Sequence, residues 1–161
     1  MRIYTVRRRL IIAVVCCLGI SLFTGGGIVH AIEAETAEDK QAGQEQDMKL
    51  MIGDTQVEVA WEDNDSVKEL KALVSGGPLT IDMSMYGGFE QVGPIGSSLA
   101  SSDVQTVTEP GDIVLYSGSQ IVIFYGSNSW AYTKLGKVTD RTAEEMTTLL
   151  GNGDVEITLS M

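Results

Sequence analysis

The feature that most constrains the fold is a series of short apolar segments separated by glycine-containing turns, which begins near Met48 and continues to the end of the chain. Short segments rich in β-branched and aromatic residues and bounded by turn residues are typical of strands. Two of these segments, 48–52 and 55–61, flank Gly53-Asp54 and predict a tight hairpin. The C-terminal part of the chain is therefore predicted to be mainly β.

Further strands are predicted along the same region. The segment 121–125 is apolar throughout, which predicts a central strand buried on both faces. The stretch 86–99 contains several glycines and is predicted to be irregular or bulged. The remaining predicted strands cover 79–85, 104–107, 113–116 and 155–159.

Two segments have the spacing of helices rather than strands. Each is preceded by a serine or threonine that is followed one helical turn later by a glutamate, which predicts a capping box. Many short strands combined with two short helices predict a mainly β fold, a small closed or nearly closed antiparallel β-barrel with two short helices. The boxes are Ser66 with Glu69 for a helix at 67–74, and Thr142 with Glu145 for a helix at 143–150.

Residues 1–31 form a distinct leader, with a basic start, an apolar run over 10–23 and small residues before Ala31. This layout predicts an apolar leader helix that is either a signal peptide, cleaved after Ala31 or Ala34, or a retained membrane anchor. In both cases the basic start stays in the cytoplasm. We therefore expect the rest of the chain to be secreted or attached to the outer face of the cytoplasmic membrane. The basic residues are Arg2, Arg7, Arg8 and Arg9.

Residues 32–47 are polar and acidic and contain no aromatic residue. Such a segment buries too little apolar surface to offset its ordering entropy, so we predict a disordered linker. The chain therefore divides into the leader over 1–31, this linker over 32–47 and a globular domain over 48–161.

The chain is strongly acidic, with a formal net charge of −11, and part of its positive charge lies in the leader. Nucleic acids and anionic lipid surfaces recognise cations, so neither is predicted to be a partner. Membrane contact is expected only through the leader, if it is retained. The sequence does not indicate an oligomeric state.

Histidine and cysteine, which carry much of enzyme catalysis, are confined to the leader at Cys16, Cys17 and His30. The globular domain therefore has no ordinary Ser-His-Asp triad, no thiol nucleophile and no soft set of metal ligands. No catalytic residue, metal site or cofactor is predicted from its motifs.

Two groups of acidic residues have a functional interpretation beside a simpler one. Asp82 and Glu90 flank a glycine-rich segment and would suit acid–base catalysis if held together, although a solvated barrel rim also explains them. The group Asp63-Asn64-Asp65 has alternating oxygen ligands but lacks the glycine and the distal glutamate of a calcium loop. Helix capping is the favoured interpretation of this second group.

Short motifs occur in a fixed order at 61–64, 86–88, 110–116, 123–126, 134–138 and 153–157. This ordered series resembles the bacterial cyclophilin-like fold domains. The resemblance covers nearly all of 48–161 and implies a closed or nearly closed barrel of about eight antiparallel strands, with helices near its open ends. It implies no established activity, because function does not follow from fold alone.

The resemblance suggests weak peptidyl-prolyl isomerase activity as an alternative function. True cyclophilins place an arginine on a barrel strand, with aromatic residues, a glutamine and a histidine around a proline pocket. The arginine outside the leader, Arg141, precedes the last predicted helix instead, and a solvated position is expected for it. Whether the domain is an enzyme is left open, with this mismatch weighing against it.

Aromatic residues give the better indication of binding. Tyr86 and Phe89 bracket two glycines, and Trp130 follows a turn of small residues. Together with Glu90 they are predicted to line a pocket at the barrel mouth, which would bind a small molecule or an extended peptide. Ordinary packing of these rings is the alternative. The sequence thus favours an exported cyclophilin-like binding module over an enzyme.

Overall fold

The computed structural model describes residues 47–161, so the predicted leader helix and nearly all of the predicted linker lie outside the described residues. Within this part the chain forms ten strands and two helices. The strands are β1 (Lys49–Ile52), β2 (Thr55–Val57), β3 (Val59–Trp61), β4 (Leu79–Tyr86), β5 (Glu90–Pro94), β6 (Val104–Val107), β7 (Asp112–Tyr116), β8 (Gln120–Phe124), β9 (Ser129–Val138) and β10 (Val155–Ser160). The helices are α1 (Asp65–Ser75) and α2 (Ala143–Leu150).

The strands form an antiparallel sheet that curls into a nearly closed barrel. Their order is β2-β1-β10-β4-β5-β8-β7-β9-β3, and β6 pairs with β9 outside this path. The two terminal strands, β2 and β3, are separated in the chain by Glu58 alone, so the chain itself connects the two edges of the sheet. This confirms the predicted fold class, although ten described strands replace the eight or so that the resemblance implied.

The hairpin around Gly53-Asp54 forms as predicted, by pairing β1 with β2. The prediction of one strand over 55–61 is wrong, because the chain changes partner at Glu58. The N–H of Glu58 donates to Asp140 Oδ1, and its carbonyl accepts the N–H of Thr139. These two bonds turn the chain away from β1 and onto β9.

The stretch 86–99, predicted to be irregular, contains the regular strand β5. Gly87 and Gly88 form the turn before it, with φ values of 61° and 76° that favour glycine. All of β5 then pairs with β8. Tertiary pairing therefore overrides the glycine-rich composition of this segment.

Two layers of buried side chains lie on the two faces of the sheet. Ile121 and Ile123 of β8 belong to the main core inside the barrel, whereas Val122 and Phe124 belong to a second cluster on the outer face. This confirms the predicted central strand that is buried on both faces. The second cluster also contains Val114 and Tyr132, with Phe89 and Val92 packed against it.

Both helices pack against the main core. The predicted capping box of α2 is confirmed, because Thr142 Oγ1 accepts the N–H of Glu145 and the Glu145 carboxylate accepts the N–H of Thr142. Among residues 47–161, neither helix is long and apolar enough to cross a membrane. The buried apolar residues are Val67, Leu70 and Val74 in α1, and Met146 and Leu150 in α2.

The predicted capping box of α1 is wrong. Asn64 is the N-cap, and its Oδ1 accepts the N–H of Val67 at 3.0 Å. Ser66 Oγ instead donates to the carbonyl of Ala100, and Glu69 Oε2 accepts the N–H of Ala100. Ser66 and Glu69 therefore anchor the loop that leads to β6. The group Asp63-Asn64-Asp65 supplies the helix cap through Asn64, which agrees with the favoured interpretation.

Candidate binding site

A pocket of about 420 Å³ lies on the outer face of the barrel, over β5, β8, β7 and β9. This volume falls within the range of small-molecule sites. It lies away from the predicted barrel mouth, and the inner face of the sheet is occupied by buried aliphatic side chains, including some from both helices. The lining residues are Tyr86, Glu90, Val92, Tyr116, Gln120, Val122, Asn128, Trp130 and Tyr132.

Strand pairing brings these distant residues together. Tyr86 lies opposite Glu90 across β4 and β5, and Val92 lies opposite Val122 across β5 and β8. Alternate residues of a strand share a face, so Glu90 projects with Val92, and Gln120 projects with Val122. The register therefore builds one continuous outer surface with an apolar centre.

Glu90 is a charged residue at the base of the pocket. It is 6% exposed, and its Oε2 atom has no hydrogen-bond partner among the described residues. Burial removes the water that would solvate the carboxylate, which raises the pKa of Glu90 from 4.5 to about 6. At neutral pH the base of the pocket therefore carries a negative charge, and its Oε2 atom has no hydrogen-bond partner among the described residues.

Replacing Glu90 with glutamine should stabilise the domain at pH 8 and have little effect near pH 4.5. A carboxyl group whose pKa is higher in the folded chain contributes less stability as the pH rises from the unfolded pKa of 4.5 to the folded value of about 6. Glutamine does not titrate, so the variant does not lose stability over this pH range. Above pH 6 we therefore expect the free energy of unfolding of the variant to exceed that of the wild type by roughly 1 to 2 kcal/mol. Urea unfolding at the two pH values measures it.

Asp82→Asn is the matched control for Glu90→Gln, because Asp82 is an exposed carboxylate of β4 that does not line the pocket. Because an exposed carboxylate keeps its water of solvation, Asp82→Asn should not stabilise the domain at pH 8. If the two variants show the same pH profile, the buried charge at Glu90 is not the cause.

Tyr132 forms the aromatic floor of the pocket. Its ring meets Phe124 edge-on at a centroid distance of 5.7 Å and Tyr116 at 6.1 Å. Asn128 Nδ2 donates to its hydroxyl at 3.0 Å. Burial first, and then the negative charge of Glu90, raise the pKa of Tyr132. The floor is thus a packed cluster of aromatic rings, with the Tyr132 hydroxyl and the Asn128 amide at its edge.

Tyr86 and Trp130 form the outer rim of the pocket. Their exposed fractions are 66% and 57%, which is high for large aromatic residues. Trp130 lies in the part of β9 that pairs with β6, opposite Thr106. Exposed rings beside a concave apolar surface are suited to covering a ligand.

Phe89 is the one predicted site residue that the structure does not bring to the pocket. Its carbonyl accepts the N–H groups of Tyr125 and Gly126, and its side chain packs against the second cluster. A Cβ atom at Gly126 would stand 2.7 Å from the Phe89 Cβ, so glycine permits this close approach. Phe89 therefore supports the floor, whereas Tyr86, Glu90 and Trp130 line the pocket together.

Most of the lining residues were not predicted from the sequence, because aromatic rings on strands were expected to pack in the core. The alternation within the strands was the signal that could have found them, since Glu90, Gln120 and Val122 share the outer face. The missed residues are Val92, Tyr116, Gln120, Val122, Asn128 and Tyr132.

Asp82 does not form a pair with Glu90. Asp82 is exposed and lies four residues along β4 from Tyr86, the register partner of Glu90. This corresponds to about 13 Å along the strand, too far for two carboxyl groups to share a proton. Within residues 47–161, no group of three or more carboxylate, histidine or cysteine side chains could hold a metal ion.

Arg141 also lies away from the pocket. Its guanidinium donates to the carbonyl and Oδ2 of Asp140 and to the carbonyl of Gln56. Arg141 therefore lies near the helix start as expected but is only partly solvated, since these bonds tie the start of α2 to β2. Its side chain is 24% exposed.

The family comparison agrees with this architecture. The model of the cyclophilin-like family matches residues 50–160, which is more than half of the chain. The chain belongs to the cyclophilin-like family. The matched region of this cyclophilin-like domain includes every residue that lines the pocket.

Two further comparisons do not address the ligand of the cyclophilin-like domain. No curated protein matches the sequence. The structure of McbB in complex with tryptophan is similar to it, with a TM-score of 0.49 and 12% identity, over 71% of this chain and 44% of that chain. The present chain thus corresponds to less than half of McbB, and a likeness of this degree says nothing about what the present chain binds.

Proposed function

We propose that this domain is an exported binding module that takes a small molecule or a short extended peptide in the outer-face pocket. The observation that supports this most is the pocket itself, with a volume of about 420 Å³, aromatic walls and a buried carboxylate. An apolar surface with a few convergent polar groups is typical of ligand-binding sites.

The lining supports binding more directly than it supports a reaction. Aromatic rings supply large contact areas at a small cost in side-chain entropy. The amides of Gln120 and Asn128 and the carboxylate of Glu90 provide polar contacts that would orient a ligand. The alternative activity, a weak prolyl isomerase, is not favoured by any contact of Arg141.

Replacing Trp130 with alanine should weaken ligand binding without unfolding the domain. Fragments that bind the native full chain raise its melting temperature in a thermal-shift screen. Loss of the Trp130 ring should weaken such fragments about tenfold or more, since it removes one wall of the pocket. Because Trp130 is 57% exposed, its truncation should change the free energy of unfolding by no more than about 0.5 kcal/mol.

Val107→Ala is the control for Trp130→Ala, because Val107 is a 69% exposed apolar residue of the neighbouring strand β6 that does not line the pocket. Fragment binding should be unchanged in this variant. Fragments that stabilise the wild type and Trp130→Ala equally would exclude the outer-face pocket as their site.

Export is the part of the proposal that rests on the leader. A basic start followed by an apolar run and small residues near Ala31 supports it. N-terminal sequencing of the exported protein should find Ile32 or a residue close to it. An intact Met1 would indicate a retained anchor instead.

A further inference from the structure

The carboxylate of Glu90 has no counter-charge from the part of the chain that the structure describes. The side chain is more than nine-tenths buried, and its Oε2 atom has no hydrogen-bond partner among residues 47–161. Burying an ionised group without a partner costs desolvation free energy. A positively charged ligand group that contacts the carboxylate would offset this cost, which favours binding of such a group.

Within residues 47–161, no basic side chain supplies this counter-charge. None of the pocket-lining residues in the described part of the chain is a lysine or an arginine. Lys134 faces Glu62, and Lys137 Nζ lies 2.9 Å from Glu109. The formal net charge of −11 would also draw cations towards the domain.

The aromatic walls are suited to the same kind of ligand group. Tyr86, Tyr116, Trp130 and Tyr132 line the pocket around Glu90, and the first three are more than one-third exposed. A cation that lies over an aromatic face is attracted by the electron-rich ring, most strongly by tryptophan. An ammonium group could therefore contact aromatic faces while its N–H groups donate to the carboxylate.

We propose that the pocket binds an organic ammonium group, a protonated primary amine on an apolar arm, with Glu90 as its counter-charge. This inference rests on the proposed binding function and names the chemical class of its ligand. Glu90 Oε2 accepts the N–H bonds, the rings of Tyr86 and Trp130 enclose the cation, and Val92 and Val122 contact the apolar arm.

A matched series of probes tests this inference on the full chain at pH 7.5. Benzylammonium, benzyl alcohol and phenylacetate have similar apolar bodies but are positive, neutral and negative, respectively. Tryptophan fluorescence reports binding, since Trp130 lines the pocket. We expect benzylammonium to bind at least about tenfold more tightly than benzyl alcohol, and phenylacetate to bind least.

Glu90→Gln should abolish the preference for the cation while benzyl alcohol still binds. Asp82→Asn removes the same charge from an exposed position on β4 and should keep the preference. Equal binding of benzylammonium and benzyl alcohol to the wild type, or an unchanged preference in Glu90→Gln, would overturn the inference. Equal binding that calorimetry shows to be lost in Trp130→Ala, a variant without the fluorescent reporter, would leave the proposed function intact. No binding of any probe at millimolar concentration would count against both proposals.

The affinity for benzylammonium should also fall as the pH is lowered from 7.5 to 5. Besides Glu90, the titratable groups that face this site are the phenols of Tyr86 on β4, Tyr116 on β7 and Tyr132 on β9. Phenols and benzylammonium do not ordinarily titrate in this range, so the loss reports protonation of the carboxylate. An affinity that is constant between pH 7.5 and 5 would contradict the role of Glu90.

A peptide lysine and a free amine present the same ammonium chemistry, and one comparison distinguishes them. A capped peptide with a central lysine is titrated beside the same peptide with acetylated lysine, which has no positive charge. Tighter binding of the lysine peptide than of benzylammonium would indicate a peptide source, and weaker binding would indicate a free amine. An acetylated peptide that binds as well as the lysine peptide would overturn the ammonium assignment.

Discussion

Replacing Gly136 with alanine should destabilise the domain by about 2 to 4 kcal/mol, because the added methyl group has no space where the barrel closes. Gly136 lies in β9 opposite Trp61 of β3, and this pairing joins the last strand of the sheet to the rest. A Cβ atom there would stand 2.7 Å from the carbonyl oxygen of Ala60 and 3.1 Å from Val59 Cγ1. The oxygen belongs to the backbone, so relief requires β3 to move away from β9.

Gly76→Ala is the matched control for Gly136→Ala. Gly76 ends α1 with a φ of −78°, and its nearest atom to a new Cβ would be the Leu73 carbonyl oxygen at 3.6 Å, an ordinary contact. Alanine here should be neutral or slightly stabilising. Urea unfolding measures both variants, and a Gly136→Ala variant as stable as Gly76→Ala would contradict the close packing of β3 against β9.

Replacing Gln91 with leucine should cost about 2 to 4 kcal/mol, although leucine is apolar and the site is fully buried. Gln91 points into the barrel, and its Nε2 donates to the carbonyls of Leu150 and Gly153 at 2.7 Å each. These are carbonyls at the end of α2 and in the turn after it, which the helix itself does not satisfy. The variant leaves the buried carbonyl of Leu150 and the part-buried carbonyl of Gly153 without this donor.

Gln105→Leu separates this effect from the general cost of losing an amide. Gln105 is exposed on β6, and its Nε2 bonds to Ser129 Oγ at 3.1 Å. The change should alter the free energy of unfolding by no more than about 0.5 kcal/mol. Equal urea midpoints for Gln91→Leu and Gln105→Leu would show that the bonds from β5 to the end of α2 do not stabilise the barrel.

The fold was largely predictable because its signals are local. Short apolar segments, the Gly53-Asp54 turn and the Thr142 capping box each depend on neighbouring residues in the chain. The change of strand at Glu58 was not predictable, because it depends on bonds to residues around Asp140, far along the chain. The alternative partners of Ser66 and Glu69 were missed for the same reason, since both bind Ala100.

The candidate site was predictable only in part. Tyr86 and Trp130 were predicted from the sequence because they adjoin turns. Glu90 was predicted with them because it follows the glycine-containing turn that begins at Tyr86. Which face of the sheet they share depends on the register between β4, β5 and β8, which residue types alone do not determine. The sequence could therefore suggest an aromatic pocket but placed it at the barrel mouth instead of on the outer face.

A second concave region of similar size is an alternative candidate for the ligand site. A groove of about 490 Å³ lies between the start of α1 and the loop before β6, with Glu62, Ser102 and Lys134 among its lining residues. Its lining contains acidic groups and one aromatic residue, Tyr132, whereas aromatic rings dominate the outer-face pocket. Aromatic walls favour the outer-face pocket as the place where a ligand binds.

The most direct test of the ligand site is an NMR titration of the isotope-labelled full chain with the fragment that raises its melting temperature most. We expect the largest chemical-shift changes at Tyr86, Glu90 and the indole N–H of Trp130, which line the outer-face pocket and not the groove beside α1. Largest changes around Ser102 and Lys134, with the Trp130 indole unaffected, would contradict the assignment of the outer-face pocket as the binding site.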